Sequence, residues 1–101
     1  HKSRGHFTRE LIIDYSQRTV IIKNKKIDFS NKEFEIIKLL SMNAGQIFDR
    51  EKIYEVVWGF EANGDSAVIK EHIRKIRMKL ARYSENEYLE TVWGVGYRWK
   101  K

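Results

Sequence analysis

The sequence predicts an α+β domain: an N-terminal antiparallel sheet, then three helices, then a closing β-hairpin. Three observations carry this. The first third of the chain alternates apolar and polar side chains at the two-residue period of strands. The middle holds three segments with apolar residues at helical spacing, each bounded by a capping residue or a glycine. The end holds two aromatic-rich runs on either side of Gly94-Val95-Gly96.

In the opening third, Leu11, Ile13 and Tyr15 share one face of a strand, with Glu10, Ile12 and Asp14 on the other. Residues 16–18 read as a turn and the β-branched run 19–23 as a second strand. Asn24-Lys25 fits a tight hairpin turn, and residues 26–29 a third strand. Such a sheet is expected to be covered on one face only.

Ser30-Asn31-Lys32-Glu33 reads as a capping box, in which hydroxyl and carboxylate each take the other residue's amide. Phe34, Ile37 and Leu40, helped by Ile36 and Leu39, repeat at helical spacing up to a stop at Gly45. Residues 46–48 are a short extended piece. Asp49 caps a second helix over residues 50–58, with Ile53, Val56 and Val57 facing inward and Gly59 ending it.

Residues 60–64 form a loop. Asp65 or Ser66 then caps a third helix running to about residue 82. After a polar connection, residues 88–93 and 97–100 form the hairpin, its tip relieved by Gly94 and Gly96. A short helix, a longer basic helix and a hairpin make the layout of a winged helix-turn-helix, here with a loop rather than a tight turn before the third helix.

At 101 residues the chain is one domain by size. Residues 1–6 are polar, basic and unpatterned, and read as a linker remnant or an artificial leader before a domain spanning 7–101. No Cys is present, which excludes disulfides and thiolate metal sites. His1, His6 and His72 have no ligand spacing, so neither a metal nor another cofactor is expected.

No run approaches the roughly 18 apolar residues of a membrane span, and no apolar leader is visible, so a cytoplasmic protein without membrane contact is expected. The chain lacks a paired carboxylate, a Ser/His/Asp set and a glycine-rich phosphate loop, so it is not expected to be an enzyme. Twenty Lys plus Arg against 14 Asp plus Glu leave a net charge of +6. That balance fits either a polyanionic partner or a solvated basic surface, and the placement of the charge decides between them.

The third helix makes the placement specific. Ile69, Ile73, Ile76 and Leu80 form one narrow apolar stripe at about 100° per residue. Opposite lie Ala67, Glu71, Arg74, Lys75, Met78 and Arg82, flanked by Lys70, Arg77 and Lys79. An α-helix fits the major groove of B-DNA, where Arg74 and Lys75 suit guanine acceptors or phosphate oxygens. Glu71 fits two readings: acceptor for a cytosine amino group, or partner of Lys75 four residues on. His72 likewise fits a half-buried ring holding a backbone group or a phosphate donor. Trp93, at the hairpin tip, fits core or an exposed contact with sugar and backbone.

Four segments, in order and at matching spacing, resemble the OmpR/PhoB-type response-regulator effector domain. They are Phe29-Ser30-Asn31-Lys32-Glu33-Phe34; Asp49-Arg50-Glu51-Lys52-Ile53 followed by Val57-Trp58-Gly59; the run from His72 to Leu80; and Thr91-Val92-Trp93-Gly94-Val95-Gly96-Tyr97. The resemblance covers about residues 7–100 and implies a four-stranded N-terminal sheet, three helices and a wing. It implies a two-component transcription factor binding double-stranded direct repeats as a head-to-tail dimer. A sensor kinase would act on a receiver domain absent from this chain.

By position, the resemblance assigns base reading to Val68, Glu71 and Lys75. It assigns backbone contacts to Trp58, His72, Arg74, Arg77, Thr91 and Tyr97, and the wing tip to Trp93, Gly94 and Gly96. The loop with Phe60, Glu61, Asn63 and Asp65 is where some members meet RNA polymerase. Three departures imply a different target site: Trp93 for the usual wing arginine, Val68 for a threonine, and Ile69-Lys70-Glu71 for Val-Asp-Val. A winged helix that binds protein, an RNA-binding basic domain and a membrane-anchored regulator with this effector fold remain alternatives. The first is set against the cationic face, which keeps Arg74, Lys75 and Arg82; the second lacks an evident aromatic platform.

Overall fold

Two antiparallel sheets flank three helices in this computed structural model, which describes residues 5–59 and 63–101. The elements run β1 (Gly5–Phe7), β2 (Leu11–Asp14), β3 (Thr19–Ile22), β4 (Lys25–Ile27), α1 (Asn31–Met42), β5 (Ile47–Phe48), α2 (Arg50–Trp58), α3 (Val68–Ala81), β6 (Leu89–Val92) and β7 (Gly96–Trp99). The first sheet has the order β1-β2-β3-β4 and the second β5-β7-β6. This is the α+β winged helix-turn-helix architecture expected from the sequence.

Leu11, Ile13, Val20, Ile22 and Ile27 point from the first sheet into the core, while Phe7 and Ile12 are exposed on its outer face. One covered face follows from the two-residue alternation. Trp99 is fully buried, stacked on Tyr88 at 5.9 Å and met edge-on by His6 at 6.2 Å. Gly5 and His6, expected in a polar leader, therefore belong to a strand paired with Asp14 and Ile13. The alternation there is too short to show in sequence.

The β3–β4 turn falls one residue earlier than expected, on Lys23-Asn24, with φ of 51° and 71°. Two successive positive φ values are what a two-residue type I′ turn requires. The Lys23 N–H donates to the Glu10 carbonyl at 3.0 Å, continuing the β2–β3 ladder one residue beyond Ile22.

In α1 the capping box is complete. The Glu33 N–H donates to the Ser30 hydroxyl at 3.2 Å, and the Ser30 N–H donates to Glu33 Oε1 at 2.8 Å. Glu33 is also buried, and Lys79 Nζ on α3 donates to the same Oε1 at 2.7 Å while lying over the Phe29 ring. Burial alone would raise the Glu33 carboxyl, but the bonds from Lys79 and the Ser30 amide outweigh it and hold the group below its usual value.

Asp49 caps α2 by accepting from the Lys52 N–H at 2.7 Å. Its inward side chains are Ile53, Tyr54 and Val57, whereas Val56, expected inward, is exposed. Ile53, Tyr54 and Val57 share one arc of the helix, and Val56 falls off its edge.

Neither Asp65 nor Ser66 caps α3. The helix proper begins at Val68, after Ala67. The Asp65 carboxylate accepts from the Ala67 N–H at 3.0 Å, and bonds from Val68, Ile69 and Lys70 back to the carbonyls of residues 65–67 form a tight entry turn. Those bonds satisfy the helix's first amides without a side-chain cap.

In the wing, the Val95 N–H donates to the Val92 carbonyl at 2.9 Å, and Gly94 at the third turn position has φ +80°, as a type II turn needs. Gly96 lies against β5, where a Cβ would stand 2.2 Å from the Phe48 carbonyl oxygen. No larger residue fits there without moving the strand.

The Glu10 carboxylate collects Ser84 Oγ, Tyr88 Oη, Asn86 Nδ2 (2.8 Å) and, at 3.8 Å, Lys23 Nζ. It ties the first sheet to the α3–β6 connection. Hydrogen bonds from Ser84, Tyr88 and Asn86 lower its pKa from 4.5 to about 2. A carboxyl depressed in the folded state stabilises it above the unfolded value and loses that effect as pH falls through the folded one. Stability, read from urea unfolding midpoints, should therefore decline between pH 4.5 and about 2. Glu10→Gln should be less stable at neutral pH and flatter across that window; curves that stay parallel would remove Glu10 as the cause. Glu33→Ala removes the reciprocal cap and strands Lys79, and should cost about 2–4 kcal/mol. A loss below about 1 kcal/mol in the same assay would show that the pair is not structural.

Candidate nucleic-acid interface

The stripe Ile69, Ile73, Ile76 and Leu80 is buried, as its spacing predicts, so α3 turns its opposite face outward. Two polar contacts leave the helix on either side of that face. Lys79 reaches Glu33 on α1. Arg77 reaches the wing, donating through Nε to the Leu89 carbonyl at 3.1 Å and through Nη2 to the Thr91 hydroxyl at 2.6 Å. Its guanidinium also lies 5.9 Å from the Tyr97 ring centroid. Arg77 and Thr91 thus join helix to wing, a role that required knowing where the wing folds back.

Between α3 and the wing lies a cleft of about 760 Å³. Ile73, Met78, Ala81, Trp93 and Tyr97 line it, along with the cations Lys70, Arg74 and Arg77. The other side of the wing forms a second cleft with Lys70, the α2 cap Asp49 and the α2 residues Arg50 and Glu51. Arg50, which lines this second cleft, is not among the site positions expected from the sequence. Its signal was a basic residue at the start of a helix that directly follows a wing-pairing strand.

The expected site residues separate into groups. Glu71, Arg74 and Lys75 are exposed together on the outer face of α3. Glu71 pairs with Arg74 rather than with Lys75: Arg74 Nε donates to Glu71 Oε1 at 3.1 Å and Nη2 to Oε2 at 2.6 Å. Arg74 Nη1 rests 3.3 Å from Met78 Sδ. The bond from Arg74 holds the Glu71 carboxyl below its usual value. Among the described residues, Lys75 has no hydrogen-bond or ion-pair partner.

Val68 is half-buried and packs on the core. His72 Nδ1 lies 2.9 Å from the Val68 carbonyl. A carbonyl only accepts, so Nδ1 carries the proton, and Nε2 donates only when the ring is charged. His72 meets Trp58 edge-on at 5.4 Å; Trp58 stacks on Tyr54 at 5.0 Å and lies beneath Lys32 Nζ. Tyr54 Oη in turn accepts from the Gly64 N–H at 2.8 Å, anchoring the end of the α2–α3 loop.

Trp93 is 88% exposed, so the wing tip is not core. Asn63 and Asp65 are exposed; Phe60 and Glu61 of the same expected contact loop lie outside the described residues. Among the described residues, no helix is long and apolar enough to cross a membrane.

Residues 24–99 match the family profile described as "Transcriptional regulatory protein, C terminal". The chain is 36% identical over 89 residues to the transcriptional regulatory protein SpaR of Bacillus subtilis, covering 88% of this chain and 40% of SpaR. It superposes on the response regulator DrrB of Thermotoga maritima, an OmpR/PhoB homologue, with TM-score 0.84 and 33% identity, covering 97% of this chain and 45% of DrrB. It superposes on the DNA-binding domain of Klebsiella pneumoniae RstA, solved in complex with the RstA box, with TM-score 0.82 and 27% identity, covering 99% and 98%. The chain thus spans under half the length of SpaR and DrrB. On fold, profile and sequence together, the chain belongs to the C-terminal, winged-helix DNA-binding domains of OmpR/PhoB-type response regulators.

Proposed function

We propose that this domain reads double-stranded DNA, with α3 in the major groove and the β6–β7 hairpin alongside as a wing. The observation that carries the reading is the outer face of α3. Lys70, Arg74, Lys75 and Arg82 are exposed there on a helix pinned from both flanks. A rigid cationic helix of this kind fits a major groove about 12 Å wide. The K. pneumoniae RstA domain, with the same fold, was solved on DNA.

Within this reading Val68, Glu71 and Lys75 face base edges. Trp58, His72, Arg77, Thr91 and Tyr97 border the phosphate backbone, with Arg74 also expected there by position. The exposed Trp93 cannot supply the charge that a narrow minor groove attracts, so α3 provides most of the specificity and the wing tip touches sugar or backbone. The domain acts by binding rather than by catalysis, in the cytoplasm. Two copies sit head to tail on direct repeats, and a sensor kinase signals through a receiver domain outside this chain. The loop over residues 60–65 offers a surface to RNA polymerase.

Selection from random duplex DNA tests this directly. A motif recurring in direct orientation is expected, and the absence of any enriched motif would sink the reading. Lys75→Ala should weaken binding to the selected duplex by about 1–3 kcal/mol while leaving random duplex nearly unchanged. Equal losses on both, measured by fluorescence anisotropy at fixed salt, would make Lys75 a phosphate contact.

A further inference from the structure

The Glu71–Arg74 pair has no evident structural purpose. Both side chains are about half exposed, and an exposed pair three residues apart on a helix adds little stability. On a surface built to attract phosphates a carboxylate is unfavourable, and here it neutralises the nearest guanidinium. What the pair does supply is direction. Both Glu71 oxygens are engaged, one by Nε and one by Nη2 of Arg74, and Nη1 rests on Met78 Sδ. The guanidinium is therefore oriented through contacts at all three of its nitrogens. Each terminal nitrogen still keeps an N–H, and these can donate side by side.

We propose that Glu71 and Arg74 act as one reading unit, in which Glu71 is a positioning residue that aims the free edge of Arg74 at a guanine. Arg74 donates to guanine N7 and O6, the bidentate pairing for which a planar fork suits. With its charge largely balanced by Glu71, Arg74 contributes to base choice rather than to general phosphate affinity. This moves Arg74 from the backbone contacts to the base-reading set and Glu71 from base reading to positioning, and it rests on the duplex-reading role proposed above.

The test uses the selected duplex, a random duplex of equal length, and selected duplexes carrying 7-deazaguanine at one guanine at a time, which removes the N7 acceptor. The unaltered protein should lose about tenfold in affinity at one guanine position in particular. Glu71→Ala should bind the selected duplex about tenfold more weakly, bind the random duplex as well or better, and lose its sensitivity at that guanine. Its salt slope should rise by about one ion as Arg74 is released to the phosphates. Arg74→Lys, which keeps the charge but not the fork, should also lose the guanine sensitivity.

Guanine sensitivity retained by Glu71→Ala or Arg74→Lys would overturn the proposal. So would equal weakening of Glu71→Ala on both duplexes. Failure of the unaltered protein to prefer the selected over the random duplex would overturn the duplex-reading role itself. Thermal midpoints equal to the parent's, expected for such exposed positions, exclude misfolding as the cause; Glu71→Gln, which keeps one acceptor, should fall between parent and Ala.

Discussion

One buried carboxylate sets how α3 is held. Glu33 Oε1 accepts at once from the Ser30 amide, which starts α1, and from Lys79, which is near the end of α3. A charge buried this deeply persists only if paired and hydrogen-bonded. The local start of one helix and the long-range seating of another therefore depend on the same oxygen. The isoleucine stripe of α3 cannot do this alone. Apolar burial is non-directional, so a row of apolar side chains sets which face is inward less sharply than a directed polar bond does. The Lys79 bond supplies that direction.

A second contact opposes it. Around the helix, Arg77 and Lys79 lie on opposite flanks, one tied to the wing at Leu89 and Thr91, the other to α1. The arc between them, away from the stripe, holds Glu71, Arg74, Lys75, Met78 and Arg82. The outer face of α3 is thus bounded by the bonds on its edges. Arg77 and Thr91 are consequently structural as well as candidate backbone contacts, because the same bonds set the distance between helix and wing.

Charge on that face is arranged rather than merely accumulated. Lys75 is unpaired among the described residues, Arg77 is engaged with the wing, and Arg74 is bound by Glu71. Cations with different degrees of neutralisation contribute differently to phosphate attraction and to orientation. Net charge alone conveys none of this.

The order of the elements and the family are legible in the sequence, and so is every element except β1. Strand alternation, the Ser30–Glu33 box, the Asp49 cap and the α3 stripe depend on residues within a few positions of one another, and local spacing records them. Local spacing departs from the fold in three places: the β3–β4 turn sits one residue earlier, a tight turn replaces a side-chain cap before α3, and Tyr54 rather than Val56 faces inward on α2. At the turn Lys23 stays bonded to Glu10 in the β2–β3 ladder, and before α3 Tyr54 holds Gly64, whereas Val56 simply lies off the buried arc of α2. Only the folded chain settles that Arg77 clamps the wing, that Trp93 is exposed and that residues 5–6 complete a sheet, whereas the choice of Arg74 over Lys75 by Glu71 is made within one helix, where spacing permits both. The physical reason is that a polar side chain's partner depends on which distant groups the closed fold brings within about 3 Å, and helical or strand periodicity carries no record of that.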